Sequence, residues 1–126
     1  MKITKKEIDL FYVLLADSNL SLSEARKRDA VSKQLIKFGR EYAEDRMKII
    51  KEFCEKKDDE LIVKDNNYLV IKGKEEEFNK EMDTLNNEEV EIELDAQSTK
   101  KAIENTKYTP KVGELELIDN IIEKIK

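Results

Sequence analysis

The spacing of apolar side chains between residues 21 and 57 predicts one long amphipathic helix. Ser21 and Glu24 have the spacing of a capping box, in which each side chain bonds a free amide of the first helical turn, so we expect Ser21 to be the N-cap. The apolar positions recur at intervals of three, four or seven, as they do along one side of a helix. They are Val31, Leu35, Phe38, Tyr42, Ile49 and Phe53, with a second row at Ile36, Ala43, Met47, Ile50 and Cys54.

A shorter helix is predicted before the long one, over residues 5–16. Thr4 and Glu7 have the spacing of a second capping box at its start. The polar residues 17–19 are typical of a turn between two helices. We therefore expect residues 1–57 to form an antiparallel helical hairpin.

The chain beyond residue 57 has the pattern of short strands. Residues 61–63 and 68–71 are apolar runs on either side of the polar stretch 64–67, which predicts a β-hairpin. Residues 89–95 alternate strictly between acidic and apolar side chains, which predicts a third strand with one buried face.

Helices are predicted around these strands. An amphipathic helix is expected over residues 74–85, and a weaker one around Ala102 and Ile103. Thr109 followed by Pro110 resembles an N-cap and a first helical position, so a last helix should begin there. Its apolar side would be formed by Leu115, Ile118, Ile122 and Ile125.

These elements predict a single α+β domain over residues 1–126. Its first part, residues 1–57, is the helical hairpin with the one long helix. Its second part, residues 58–126, is a small three-stranded antiparallel sheet accompanied by short C-terminal helices. Three strands covered by helices are about the minimum for a stable sheet.

Composition changes this picture in two ways. Charged residues make up 42% of the chain and apolar ones 39%, with no apolar run long enough for a membrane span and no signal-peptide pattern. The lone cysteine, Cys54, lies on the apolar side of the long helix and is expected to be a buried thiol. We therefore expect a protein of the cytoplasm without a membrane partner.

The residues needed for common catalytic chemistry are missing. The sequence has no histidine, which removes the commonest general base and metal ligand. Its three glycines, Gly39, Gly73 and Gly113, lie too far apart for a phosphate-binding loop. The acidic clusters do not match a calcium loop. We therefore expect no enzyme activity, no catalytic residue, no cofactor and no metal.

Charge is divided unevenly along the chain. Residues 22–57 have a net charge of +4 and residues 58–126 a net charge of −9. The two regions either attract each other within the fold or face partners of opposite charge. The candidate partner-binding residues are the basic Arg26, Lys27, Arg28 and Lys33 and the acidic Glu89, Glu91, Glu93 and Asp95.

The acidic residues admit two interpretations. Their alternation imitates a phosphate backbone that would occupy a basic groove on another protein, or it only protects a sheet edge from aggregation. Nucleic acid is not an expected partner, because the chain is acidic overall and its basic cluster lacks interleaved aromatic residues.

The order of elements, with the phrases REYAEDRMKIIKEF, FNKEMDTLNNEEVEIEL and LELIDNIIE, resembles a family of small uncharacterised proteins from phages and prophages of low-GC Gram-positive bacteria. The resemblance covers nearly the whole chain and transfers no catalytic residue. It implies either modulation of a host protein such as a defence system, or an accessory role in the virion tail or its assembly. We therefore expect a host or phage protein as partner, and a location in the cytoplasm of the host cell.

Self-association is a further expectation. The long helix carries more apolar width than one short N-terminal helix can cover, so its surplus would favour a homodimer. Alternatively, the sheet and the last helix cover that surplus within one monomer.

Overall fold

The computed structural model describes residues 1–125 and divides into two compact units. The first unit combines Met1–Gly39 with the chain from Glu89 onward, and the second is Arg40–Glu88. The elements are β1 (Lys2–Thr4), a 3₁₀ turn (Lys5–Glu7), α1 (Ile8–Ala16), α2 (Leu22–Phe53), β2 (Lys56–Lys57), β3 (Glu60–Leu61), β4 (Val63–Lys64), β5 (Asn67–Tyr68), α3 (Glu75–Asn86), β6 (Glu89–Glu91), α4 (Ala96–Glu104) and α5 (Glu114–Lys124).

The core of the first unit surrounds α1. This helix is apolar on most sides, as a helix enclosed by others must be. The antiparallel pair of β1 and β6 adds Ile3, which lies opposite Val90 in the register. The best-buried side chains of this core are Ile3, Ile8, Phe11, Leu14, Leu15, Val31, Leu35, Ile92, Ala102, Ile121 and Ile125.

The helical hairpin predicted over residues 1–57 is present in part: α1 runs antiparallel to the first part of α2, whereas α2 from Arg40 onward belongs to the second unit. Near the start of α1, Ile8 Cγ2 lies 3.5 Å from the place where a Cβ on Gly39 would be. Near its end, the guanidinium of Arg28 donates a hydrogen bond to the carbonyl of Leu15 at 3.1 Å. The start of α1 therefore lies beside a later part of α2, and the end of α1 lies beside an earlier part, as in an antiparallel pair.

Both predicted capping boxes are confirmed. The amide of Thr4 donates to Glu7 Oε1 at 2.8 Å, and the amide of Glu24 donates to Ser21 Oγ at 3.3 Å. The predicted end of the long helix at residue 57 is wrong. The helix ends at Phe53, since the residues that follow turn into the strand β2.

The predicted three-stranded sheet is also wrong. The structure has three separate two-stranded antiparallel pairs, β1–β6, β2–β3 and β4–β5. The alternating strand pairs with the N-terminal β1 instead of the hairpin, and it is shorter than the seven residues of its sequence pattern. The hairpin is shortened to β4 and β5, because Leu61 pairs with Lys56 in β2–β3 and residues 69–71 bond the backbone of residues 53–55.

The last helix begins later than predicted. It starts at Glu114 after Gly113, which has a φ of +88° that favours glycine. The carboxylate of Glu114 accepts hydrogen bonds from the amide of Lys111 at 2.6 Å and the hydroxyl of Tyr108 at 2.7 Å, so the chain between 108 and 113 forms a turn.

The buried side of this helix also differs from the prediction. Ile118 and Ile125 are buried as expected, but Leu115 and Ile122 are exposed and Ile121 is buried in their place. The helices α3 and α4 lie where the pattern predicts them.

Glu7 is the only acidic side chain that is buried in the part of the chain described. Its carboxylate accepts hydrogen bonds from the amide and hydroxyl of Thr4 and from Lys124 Nζ, at 2.8, 2.8 and 2.5 Å. Burial raises the pKa of Glu7, but the bonds from Lys124 and Thr4 outweigh it and bring the pKa below its ordinary value of 4.5. The charged form therefore contributes stability that is lost as the pH falls through the pKa of the folded state.

We expect Glu7→Gln to lower the free energy of unfolding by about 1–3 kcal/mol at neutral pH, because the ion pair is lost and the amide fits the site poorly. The deficit should shrink as the pH falls below 4.5 and through the lower pKa of the folded state, where the wild-type carboxyl becomes protonated. Urea unfolding at several pH values measures it, with Glu104→Gln, an exposed position, as control. A deficit that stays constant from neutral to acid pH would contradict the assigned role.

The two tight turns of the second unit yield another prediction. Asp58, Asp59, Asp65 and Asn66 all have positive φ values, between 53° and 64°. Positive φ at both central residues defines the type I′ hairpin turn, whose second central position favours glycine. Asp59→Gly and Asn66→Gly should each raise the free energy of unfolding by roughly 0.5–1 kcal/mol.

The matched control is Asn79→Gly, an exposed asparagine within α3, where glycine should instead lower stability. Thermal melts distinguish these outcomes. A loss of stability in both turn variants would show that the aspartate and asparagine at these positions cost the fold nothing.

Candidate functional site

The predicted row of acidic side chains lies on β6 and the residues that follow it. Glu89 and Glu91 alternate with half-buried Val90 and fully buried Ile92, so the predicted division into a buried and a charged face is confirmed. Both backbone groups of Glu93 bond to the side chain of Gln34, at 2.9 and 2.7 Å. We call the exposed side chains of Glu89, Glu91 and Glu93 the acidic row.

The acidic row is little used by the fold. Glu91 lies 3.2 Å from the N-terminal ammonium, but its side chain remains 61% exposed, and such exposed ion pairs contribute little stability. Successive carboxylates on one side of a strand are about 6.6 Å apart. The row therefore presents negative charge at regular intervals on a backbone that is fixed by β1 and Gln34.

Asp95, the fourth predicted acidic residue, has a structural role. It is the N-cap of α4, and its Oδ2 accepts a hydrogen bond from the amide of Ser98 at 2.9 Å. Hydrogen bonding by the side chain and the amide of Ser98, with a weaker contribution from the nearby charge of Lys27, lowers the pKa of Asp95. Asp95 and Lys27 line one shallow pocket of about 180 Å³, so the acidic and basic sets meet at this pair.

Arg28 holds the end of α1. Its side chain is only 18% exposed, with Nε 2.9 Å from Asp29 and Nη1 on the carbonyl of Leu15, one of the last carbonyls of α1. Ser18 Oγ lies 3.2 and 3.3 Å from the carbonyls of Leu14 and Leu15. The other predicted basic residues, Arg26, Lys27 and Lys33, are exposed.

A groove between α1 and α2 is a feature that the sequence reasoning missed. We call it the α1–α2 groove; it has a volume of about 230 Å³ and is lined by Tyr12, Ala16, Arg28, Asp29, Ser32, Lys33 and Ile36. Tyr12 and Ile36 remain 36% and 40% exposed. The sequence did contain one indication of this groove. Ile36 belongs to the second apolar row, which lies beside the buried row of the long helix, so its side chain could be expected at the edge of the buried surface.

A larger open groove, of about 590 Å³, lies over the ion pair of Glu7 and Lys124. Lys2, Lys6 and Glu123 are among the residues that line it. Cations and carboxylates are mixed along this groove, and Glu7 and Lys124 at its floor bond each other. Its charge therefore does not select one class of ligand.

The shifted carboxyl groups elsewhere are all engaged at helix starts. Hydrogen bonds from Ser21, Ser98 and Tyr108 lower the pKa values of Glu24, Asp95 and Glu114. Cys54 is buried, as predicted. Burial raises the pKa of its thiol and so disfavours the reactive thiolate. No cluster of three or more potential metal ligands occurs within residues 1–125.

The long helix retains little of the apolar surplus that suggested self-association. Leu35, Tyr42 and Phe53 are buried, and Phe53 meets Phe78 edge to face with ring centroids 6.4 Å apart. Ile36 is the large aliphatic side chain of the two rows that remains clearly exposed. A homodimer through this helix stays a prediction, with Ile36 as its strongest candidate.

We expect Arg28→Ala to lower the free energy of unfolding by about 1–2 kcal/mol, because the carbonyl at the end of α1 loses a charged donor. Arg26→Ala, two residues away and exposed, should change it by less than about 0.5 kcal/mol. Chemical denaturation of both variants measures the difference. Equal stability of the two proteins would contradict the capping role of Arg28.

Comparison of the chain with protein-family models, curated proteins and solved structures finds no match. Among the residues described, none of the helices combines the length and apolarity needed to cross a bilayer. What the protein does must therefore be inferred from its own exposed surfaces.

Proposed function

We propose that this chain is a non-enzymatic, phage-type protein that binds a host protein, such as a component of a defence system, and modulates or inhibits it. The observation that carries the proposal is the acidic row, three exposed carboxylates of which two lie on β6 and the third, Glu93, lies two residues beyond it. Charge presented in this way favours recognition and fast association more than stability.

The partner surface that fits the acidic row is basic. A host protein that binds nucleic acid has such a surface, because it must neutralise phosphates with lysine and arginine. A chain that covers this surface with carboxylates would compete with the nucleic acid. The proposed mode of inhibition is therefore occupation of a basic groove, without any chemical step.

The environment of the ionisable groups supports a binding role. The carboxyls with lowered pKa are tied to helix starts, and the Cys54 thiol is buried. These groups stabilise the fold, whereas the side chains of the acidic row contribute little to its stability. Surface charge that the fold does not need is typical of an interaction surface.

The proposal is tested by affinity capture from lysate of a low-GC Gram-positive host that contains the candidate defence systems. We expect the wild-type chain to retain a specific host protein, and a Glu89→Gln, Glu91→Gln, Glu93→Gln variant to lose most of it. The matched control, Glu76→Gln, Glu77→Gln, Glu81→Gln on α3, removes the same charge from another exposed surface and should retain the partner. Higher salt should weaken capture, because exposed charges are screened.

Two results would contradict the proposal. Failure to retain any specific protein would exclude the host partner, and equal retention by both triple variants would exclude the acidic row. Mass spectrometry of purified phage particles tests the alternative function, since a tail or assembly component should be present in them.

A further inference from the structure

The α1–α2 groove combines an apolar floor with a basic rim. Tyr12 and Ile36 expose apolar surface there, which is favourable to cover. Its volume of about 230 Å³ is below the roughly 300–1,000 Å³ of small-molecule sites, so it suits one inserted side chain better than a cofactor. A single large side chain in a small pocket is the usual anchor of a protein interface.

The rim of this groove carries a net positive charge, because one of its two basic side chains is paired with a carboxylate and the other is not. Arg28 is paired with Asp29 at 2.9 Å and is neutralised. Lys33 lines the groove and Lys37 lies one turn further along α2, and both are exposed. Neither has an ion-pair partner in the described part of the chain, although Lys37 Nζ lies 5.7 Å from the ring of Phe38. An occupant with an apolar anchor should therefore carry carboxylates beside it.

The outer side of α5 has this chemistry. Leu115 and Ile122 are 63% and 37% exposed, and they lie seven residues apart, on one side of the helix. Glu116, Asp119 and Glu123 are exposed beside them and have no ion-pair partner within residues 1–125. We call these five residues the α5 stripe.

We propose that the α5 stripe of one copy of this chain docks in the α1–α2 groove of a second copy. Leu115 enters the groove between Tyr12 and Ile36, while Glu116 and Asp119 face Lys33 and Lys37. The occupant is identified by complementarity in both respects, apolar anchor to apolar floor and carboxylates to cations.

The two surfaces are different parts of the molecule, so the contact joins them head to tail. It is separate from the acidic row, and it does not depend on the proposed host partner. A contact built on one anchor and a few exposed charges is weak, so association should depend on concentration in the micromolar to millimolar range.

Sedimentation equilibrium of the full chain tests this contact. The wild type should associate, while Lys33→Glu and Asp119→Lys should each raise the dissociation constant by roughly tenfold or more. An equimolar mixture of the two variants should associate again at near wild-type affinity, because the unchanged groove of one meets the unchanged stripe of the other. Lys37→Glu and Glu116→Lys form a second pair for the same experiment.

The control variants Lys51→Glu and Glu76→Lys make the same charge changes at exposed positions of α2 and α3 outside both surfaces, and they should associate as the wild type does. Circular dichroism melts show whether each variant is folded. A wild type that remains monomeric throughout this range would overturn the proposal. The proposal would also be overturned if the variants weaken association and their mixture does not restore it. In a head-to-tail contact, the mixture always pairs one unchanged groove with one unchanged stripe.

Discussion

The ion pair between Glu7 and Lys124 is the interaction on which the first unit most depends. It joins residues 117 positions apart, at 2.5 Å, and Glu7 also accepts both hydrogen bonds from Thr4. One carboxylate thus fixes the end of β1, the start of the first helical segment and the C-terminal end of α5. Because β1 is also the partner of β6, the position of the acidic row depends on the same contact.

The charged residues of this chain divide into two groups according to burial and bonding. Glu7, Arg28 and Asp95 satisfy backbone groups at helix ends, where an unpaired donor or acceptor would cost about 1–3 kcal/mol. The acidic row, Lys33 and Lys37 remain in solvent. Identical residue types therefore support the fold in one place and remain available for binding in the other.

Patterns among neighbouring residues predicted much of this fold, but contacts between residues far apart in the sequence could not be predicted. The capping boxes and the alternation at Glu89–Ile92 depend on neighbouring residues, so they could be recognised. The pairing of β6 with β1 could not, because three residues at the N-terminus carry too little pattern to identify a strand. The structural role of Arg28 and the groove at Ile36 arise only when α1 packs on α2.

Hydrogen–deuterium exchange of the chain alone and in its purified complex with the captured host protein tests whether the acidic row binds the partner, because it locates the bound surface on this chain. We expect slower exchange in the complex over β6 and at Glu93, as binding by the acidic row requires. Protection confined to the hairpins of the second unit, with exchange at β6 unchanged, would contradict it.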